Sequence, residues 1–424
     1  MEQATKLLNK NFIMLVIGQI VSLFGNAILR FSLPLYILIE SGSPELVGRV
    51  LALCVIPMIV ISPFGGVLAD RVNKKRLIVF LDFFTAIGAF FYLWAIGSLS
   101  IVPITIVALT LLIAINGMMA AATDSSFPLI VPADQLVRSN SVTMMINTLA
   151  MMLGPMLGGI LLVEFGLNAL LVVGGVCFGL AAIMEMFIRI PHVKQKSSGS
   201  IVRMIAGDIR DGVRFAAKGQ PVIGKILLVI VVFQPIIGPL GFLGVPVLVT
   251  QNLGMTERML GFALGISGAG GIAGGILSSI LGTKVRVQKN HWRLFVVGLC
   301  VIPIGLVFFL PVNNVVAYIV IIVSMFIAMG MTTIFTVQIL TFIQRVTPPE
   351  LLGKMMALVM TATVLSQPLG QWIHGIVFER LGDEPWVILF SISVLVMMLA
   401  FWARVYFKSI PVEVMDGQKN ALPI

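Results

Sequence analysis

The sequence predicts an all-α membrane protein with twelve transmembrane helices in two six-helix bundles. Three observations lead there. First, 58% of the 424 residues are hydrophobic, only 11% are charged, and the mean hydropathy is +1.07. A soluble domain carries about 25% charged residues. Second, twelve runs reach the roughly 20 mostly apolar residues that a spanning helix needs. They lie near 12–39, 46–69, 77–97, 101–124, 141–164, 167–190, 222–250, 257–282, 292–311, 314–341, 354–378 and 386–408. Third, the connection between the sixth and seventh runs is long and polar, whereas most others are short. The expected organisation is therefore a first bundle over 1–190, a linker over 191–221, and a second bundle with a short tail over 222–424. This composition excludes a soluble enzyme, a disordered chain and a nucleic-acid-binding module. The first apolar run continues straight into a polytopic pattern, so it reads as a retained span rather than a leader.

Lysine and arginine set the orientation, because cytoplasmic loops carry the excess of both. With the N-terminus inside, 24 of the 28 basic residues fall in cytoplasmic segments. Arg49, Arg258 and Arg380 fall outside, and Arg30 falls within the first span. An even number of spans then puts both termini in the cytoplasm. The net charge of +10 is thus a topology signal rather than the mark of an acidic partner. Within the linker, Ile201, Val202, Ile205, Ile209, Val213 and Ala216 recur at helical spacing opposite Arg203, Arg210, Arg214 and Lys218. That pattern predicts an amphipathic helix lying on the inner leaflet.

Two short matches point to related halves, a common feature of transporters. VPADQLV (131–137) resembles VTPPELL (346–352), and the surroundings of Pro155 resemble those of Pro368 at nearly the same offset.

The first cytoplasmic hairpin reads GGVLADRVNKKR (65–76), an acid at a helix end followed by a basic cluster. Asp70 can latch onto a neighbouring helix end while the basic residues sit among lipid headgroups. Span five contains LGPMLGG (153–159). A mid-helix proline there removes a backbone hydrogen bond, and Gly154 and Gly158 form a smooth face for close helix approach. Span eight has a longer glycine series, GISGAGGIAGG (265–275).

On these residues the chain resembles the major facilitator superfamily. Gly66, Asp70, Arg71, Lys74 and Lys75 fall on the superfamily's hairpin signature. Asn73 stands where a glycine is usual, an exchange expected to be mild because Asn tolerates left-handed backbone. Gly154, Pro155, Gly158 and Gly159 are similar to the span-five signature associated with exporters, with Ala150 in place of the usual upstream Gly. Asp82, PLIVPADQL (128–136), Arg189-Ile190-Pro191 and RVTPPELLGKMMAL (345–358) resemble the drug:proton antiporter branch that contains macrolide-efflux proteins and an enterobactin exporter. Much of the wider family has an Arg within span four; here the stretch 111–124 has no basic residue. The resemblance implies the major facilitator fold, a bacterial plasma-membrane location, efflux of a small molecule in exchange for protons, and a monomer. It calls for no cofactor.

In such an architecture the substrate site lies near mid-membrane between the halves, and polar side chains inside spans mark it. Span one offers Gln19, Ser22, Asn26 and Arg30 at spacings of 3, 4 and 4. Span five offers Thr143 and Asn147, span seven Gln234, span ten Thr333 and Thr336, and span eleven Thr363, Gln367, Gln371 and His374. Any one hydroxyl is equally explained by interhelical hydrogen bonding. Arg30 either snorkels outward or faces an anion. For proton coupling the candidates are Asp124, which has no basic neighbour in sequence and ranks first, then Asp82, Glu185 and His374. Glu185 also stands four residues before Arg189, a spacing that suits a helical ion pair.

The leading reading is a secondary active exporter of amphiphilic drugs working by alternating access. Its alternative is a dedicated exporter or flippase of an anionic metabolite, siderophore or lipid. A membrane enzyme or sensor fits poorly. His192, His291 and His374 are scattered, no nucleotide-binding loop is present, and Cys54, Cys177 and Cys300 lie in apolar runs without metal-ligand or disulfide spacing.

Overall fold

The computed structural model describes residues 10–408, apart from 97, 99, 125, 133–135, 191–206, 208–209 and 282–286. Among the described residues the chain is helical, without strands. The long helices are α1 (Lys10–Ser41), α2 (Pro44–Arg71), α3 (Lys74–Ala95), α4 (Ile101–Asp124), α5 (Leu136–Glu185), α6 (Pro221–Pro239), α7 (Glu257–Leu281), α8 (Asn290–Phe309), α9 (Asn314–Val346), α10 (Pro349–Leu381) and α11 (Pro385–Lys408). Nine of the described helical stretches are long and apolar enough to cross a membrane. Their outer faces carry large apolar side chains, such as Trp94 at 71% exposure and Ile280 at 75%, as a lipid-facing surface requires.

Local chemistry sets the ends. Pro44, Pro221, Pro349 and Pro385 open helices, where the missing N–H has no cost. Gly42, at φ 66°, closes α1 while its N–H donates to the Leu38 carbonyl at 2.9 Å. Asn73 caps α3 by accepting from the Arg76 N–H at 3.3 Å. Its φ is −64° and ψ 112°, so the left-handed tolerance expected of it is not used. Its value lies in the side-chain oxygen.

Each of the twelve expected runs falls on helix. Runs five and six are the two arms of α5, divided at Gly166, whose φ of 75° and ψ of 178° only glycine adopts readily. The backbone stays helical through Pro155, so that proline does not break the helix. Run seven departs from expectation. Beyond Pro239 it continues as wide π-type turns, Leu240–Gly244 and Val247–Asn252. Pro235, Pro239 and Pro246 each remove a ladder donor there.

Cα packing divides the chain into two compact units. One comprises Met1–Ile201 with Thr256–Gly265, the other Val202–Met255 with Ile266–Ile424. In the first unit α1 packs on α5, α2 on α4, and α3 on α4 and α5. In the second, α6 packs on α10, α8 on α9 and α11, and α7 meets α9 through glycines. The second unit thus repeats the first unit's pairings, which supports the duplication read from the two sequence matches.

The part of the linker helix that is described, 210–219, belongs to the second unit. There Lys354 donates to Asp211 at 2.6 Å, and Gly212 lies against Lys354 and Leu358. The hydrogen bond and charge of Lys354 hold the Asp211 carboxyl below its ordinary range. A depressed carboxyl stabilises the contact above its unfolded value and loses that contribution as pH falls through the folded one. Both side chains are solvated, so the effect is small. Lys354→Met is expected to speed amide exchange across 210–219 by a few-fold at neutral pH. Unchanged exchange would show that apolar packing alone holds this segment.

Candidate functional site

In the first unit α1 is wedged between the two arms of α5 because glycines let the backbones approach. A methyl on Gly154 would lie 2.5 Å from Ala27 Cβ and 3.1 Å from the Ala27 carbonyl carbon. One on Gly158 would meet Ser32 Oγ at 2.5 Å and the Ile28 carbonyl at 3.1 Å. The second arm closes the same way, Gly25 on Cys177 and Gly174 on Leu29. Gly154 and Gly158 are therefore contact points of α5 on α1. Gly159, beside them, faces the Glu257 carbonyl and Gly261 within the same unit.

This arrangement brings three of the expected residues together. Asp82 on α3 and Glu185 at the end of α5 are 1% and 2% exposed, and both lie against the same turn of α1, beside Ser22 and Gly18. Ser22 on α1 donates to Asp82 Oδ1 at 2.9 Å. Gly18, one turn earlier on α1, leaves the space that Glu185 fills; a methyl there would lie 3.0 Å from Glu185 Cγ. Asp82 Oδ2 and Glu185 Oε2 are buried without a hydrogen-bond partner. Below the pair, toward the end where α1 and α3 begin, Phe12, Leu15, Leu77, Ile78, Leu81, Ile188 and Ile190 pack into a buried apolar cluster. The acids thus sit behind a greasy plug rather than at a wet helix end.

The expected Glu185–Arg189 ion pair does not form. The helix ends at Glu185, so four-residue spacing no longer stacks the two side chains. Arg189 is exposed, and its backbone N–H donates to Asn11 Oδ1 at 3.1 Å.

The other span-one residues divide. Ser22 is committed to Asp82, Asn26 is 7% exposed, Gln19 keeps a buried Oε1 without a partner, and Arg30 is exposed. On α5, Thr143 bonds back to the Ser139 carbonyl and Asn147 is exposed. In the second unit Thr333, Thr336 and Thr363 bond back to the carbonyls of Met329, Thr332 and Val359 in their own helices. Gln234 and Gln367 are half-buried, and Gln371 is buried with an unpartnered Oε1. His374 is buried, its Nδ1 2.9 Å from the Gly370 carbonyl and its ring stacked on Phe378. Lys74 and Lys75 are half-buried at the start of α3. The side chains of Asp124, Asp70 and Arg71, and the surroundings of Gly66, lie outside the described residues.

Reading the sequence alone missed the role of Gly18 and assigned Ser22 to substrate. The available signal was a glycine and a serine four residues apart on α1, with two acids near the same end of two other helices. Among the described residues no group of three or more His, Cys, Asp or Glu side chains could hold a metal.

Comparison with known proteins places this architecture. Residues 15–341 match the family model described as Major Facilitator Superfamily. Macrolide efflux protein A of Streptococcus pyogenes is 25% identical over 386 residues, spanning 88% of this chain and 90% of that protein. Lysophospholipid transporter LplT of Photorhabdus laumondii is 23% identical over 297 residues, 61% of this chain and 68% of that protein. The crystal structure of the nucleoside transporter NupG superposes with a TM-score of 0.73 at 12% identity, covering 95% of this chain and all of that one, which speaks to fold alone. The chain is an all-helical membrane transporter and belongs to the major facilitator superfamily.

Proposed function

We propose that this transporter exports amphiphilic compounds, macrolides among them, in exchange for protons, by alternating access of its two units. The observation that carries the reading is the pair of buried carboxyl groups in an apolar helical bundle. An ionisable side chain in a spanning segment is costly and points to an ion pathway. Similarity to macrolide efflux protein A through most of both chains supports the substrate class. The working location is the bacterial plasma membrane with both termini inside, and the working form is a monomer.

The reading is tested in a drug-sensitive bacterial host. Cells expressing the protein should hold less labelled macrolide at steady state than cells without it. A protonophore should erase the difference. Equal accumulation across macrolides and other amphiphiles would remove the multidrug reading.

One observation favours a second reading. Arg30 is exposed on α1, and a guanidinium there suits an anionic headgroup. Similarity to a lysophospholipid transporter adds a phosphate-bearing lipid to the candidates. On this reading Arg30→Gln raises the KM for an anionic amphiphile by about tenfold, the loss of one charge-assisted contact, and leaves a neutral one unchanged. Equal transport of both substrates by Arg30→Gln would exclude it.

A further inference from the structure

We infer that Asp82, Glu185 and Ser22 form a binding site for a single shared proton. The inference rests on the proton-coupled reading above and names the site of coupling.

Two buried carboxyl groups held against one turn of α1 repel each other when both are ionised, so one of them keeps a proton. The other carboxylate is placed to accept that O–H, and Asp82 accepts from Ser22 at 2.9 Å. Neither acid has a basic partner among the described residues. On α1 the nearest charged residues to Ser22 are Arg30 and Lys10, eight and twelve positions away, or about 12 and 18 Å along the helix. On α3, Lys74, Lys75 and Arg76 lie at the helix start, about 9–12 Å from Asp82 along the axis, with Arg76 exposed. Arg189, past the end of α5, is exposed. The side chains of Asp124 on α4 and of Asp70 and Arg71 on α2 lie outside the described residues. Among the described residues nothing cationic holds this buried pair, and a proton serves instead.

Release of the proton leaves two neighbouring buried carboxylates, which repel each other and demand water. The corresponding helix pair in the second unit, α8 and α11, contains no acid. There Ser393 donates to the Gly298 carbonyl at 2.9 Å, and Gly298 lies against Met397. The same scaffold is closed by a neutral contact, so the acid pair is not a packing requirement of the fold.

Infrared difference spectroscopy of the purified protein between acid and alkaline pH reads the proton without transport. Wild type should show one protonated-carboxyl band that titrates. Asp82→Asn and Glu185→Gln should each shift or abolish that band, and the double substitution should remove it. Ser22→Ala should keep the band and move its midpoint. If the double variant does not fold, the single variants decide, because a shared proton makes one band depend on both residues. A band that survives both single substitutions unchanged, or two bands that vanish independently, would overturn the inference. So would replacement of the proton by sodium at fixed pH. If the band behaves as expected while no pH gradient drives transport by wild type, the site stands and the antiport reading falls.

Discussion

Gly274→Leu is expected to prevent the second unit from folding. A methyl at Gly274 would lie 2.8 Å from Gly330 Cα and 2.9 Å from its carbonyl carbon. Those are backbone atoms of α9 and cannot rotate aside. One turn earlier, a methyl on Gly270 would lie 2.8 Å from Phe326 Cα. In lipid, helices associate by close packing rather than by hydrophobic transfer, so forcing α7 from α9 removes the attraction itself. Overpacking against movable side chains costs about 1–3 kcal/mol, and a backbone obstacle over two turns costs more. The variant should give little monodisperse protein in detergent. Gly88→Leu is the control, because nothing lies within 4 Å of the added carbon. It should melt with wild type or slightly above, since leucine favours helix over glycine. A Gly274→Leu protein melting like wild type would refute this account of the α7–α9 contact.

Asp82→Asn and Glu185→Gln are expected to uncouple transport without unfolding the first unit. The amide has the shape of the protonated acid, so packing around Gly18 and the apolar cluster persists. What is lost is the exchange of a proton. Uphill export driven by a pH gradient should fall at least about tenfold, the effect of some 1.4 kcal/mol on a rate, while downhill movement and exchange of substrate continue. Loss of both modes together would mean a structural role. Retention of gradient-driven export in both variants would take the pair out of the coupling path.

Much of the fold is legible in the sequence because lipid imposes long apolar runs, and lipid-facing residues such as Trp94 and Ile280 report it directly. The division at Gly166 and the end of α2 at Arg71 are marked by local chemistry. The wide turns after Pro239 are not, because proline density says that a ladder bond is missing without saying how the backbone recovers. The acids of the site are legible one by one as ionisable residues inside apolar runs. Their meeting depends on tertiary packing: Gly18 lies against Glu185 where the second arm of α5 closes on α1, Gly25 on Cys177 and Gly174 on Leu29. The Glu185–Arg189 pairing fails for a simple reason, since sequence spacing implies proximity only while the helix continues. The threonines on α9 and α10 bond to their own carbonyls, a choice that sequence leaves open. The lack of an Arg in span four, a departure from much of the family, fits a carboxyl pair that needs no basic partner.

The most direct test of the central claim is proton counterflow in proteoliposomes holding wild-type protein and a pH-sensitive dye. Movement of a macrolide in one direction should drive protons in the other, and an imposed pH gradient should drive the macrolide uphill. Substrate movement with no change in internal pH, unaltered when the gradient is collapsed, would contradict proton-coupled export.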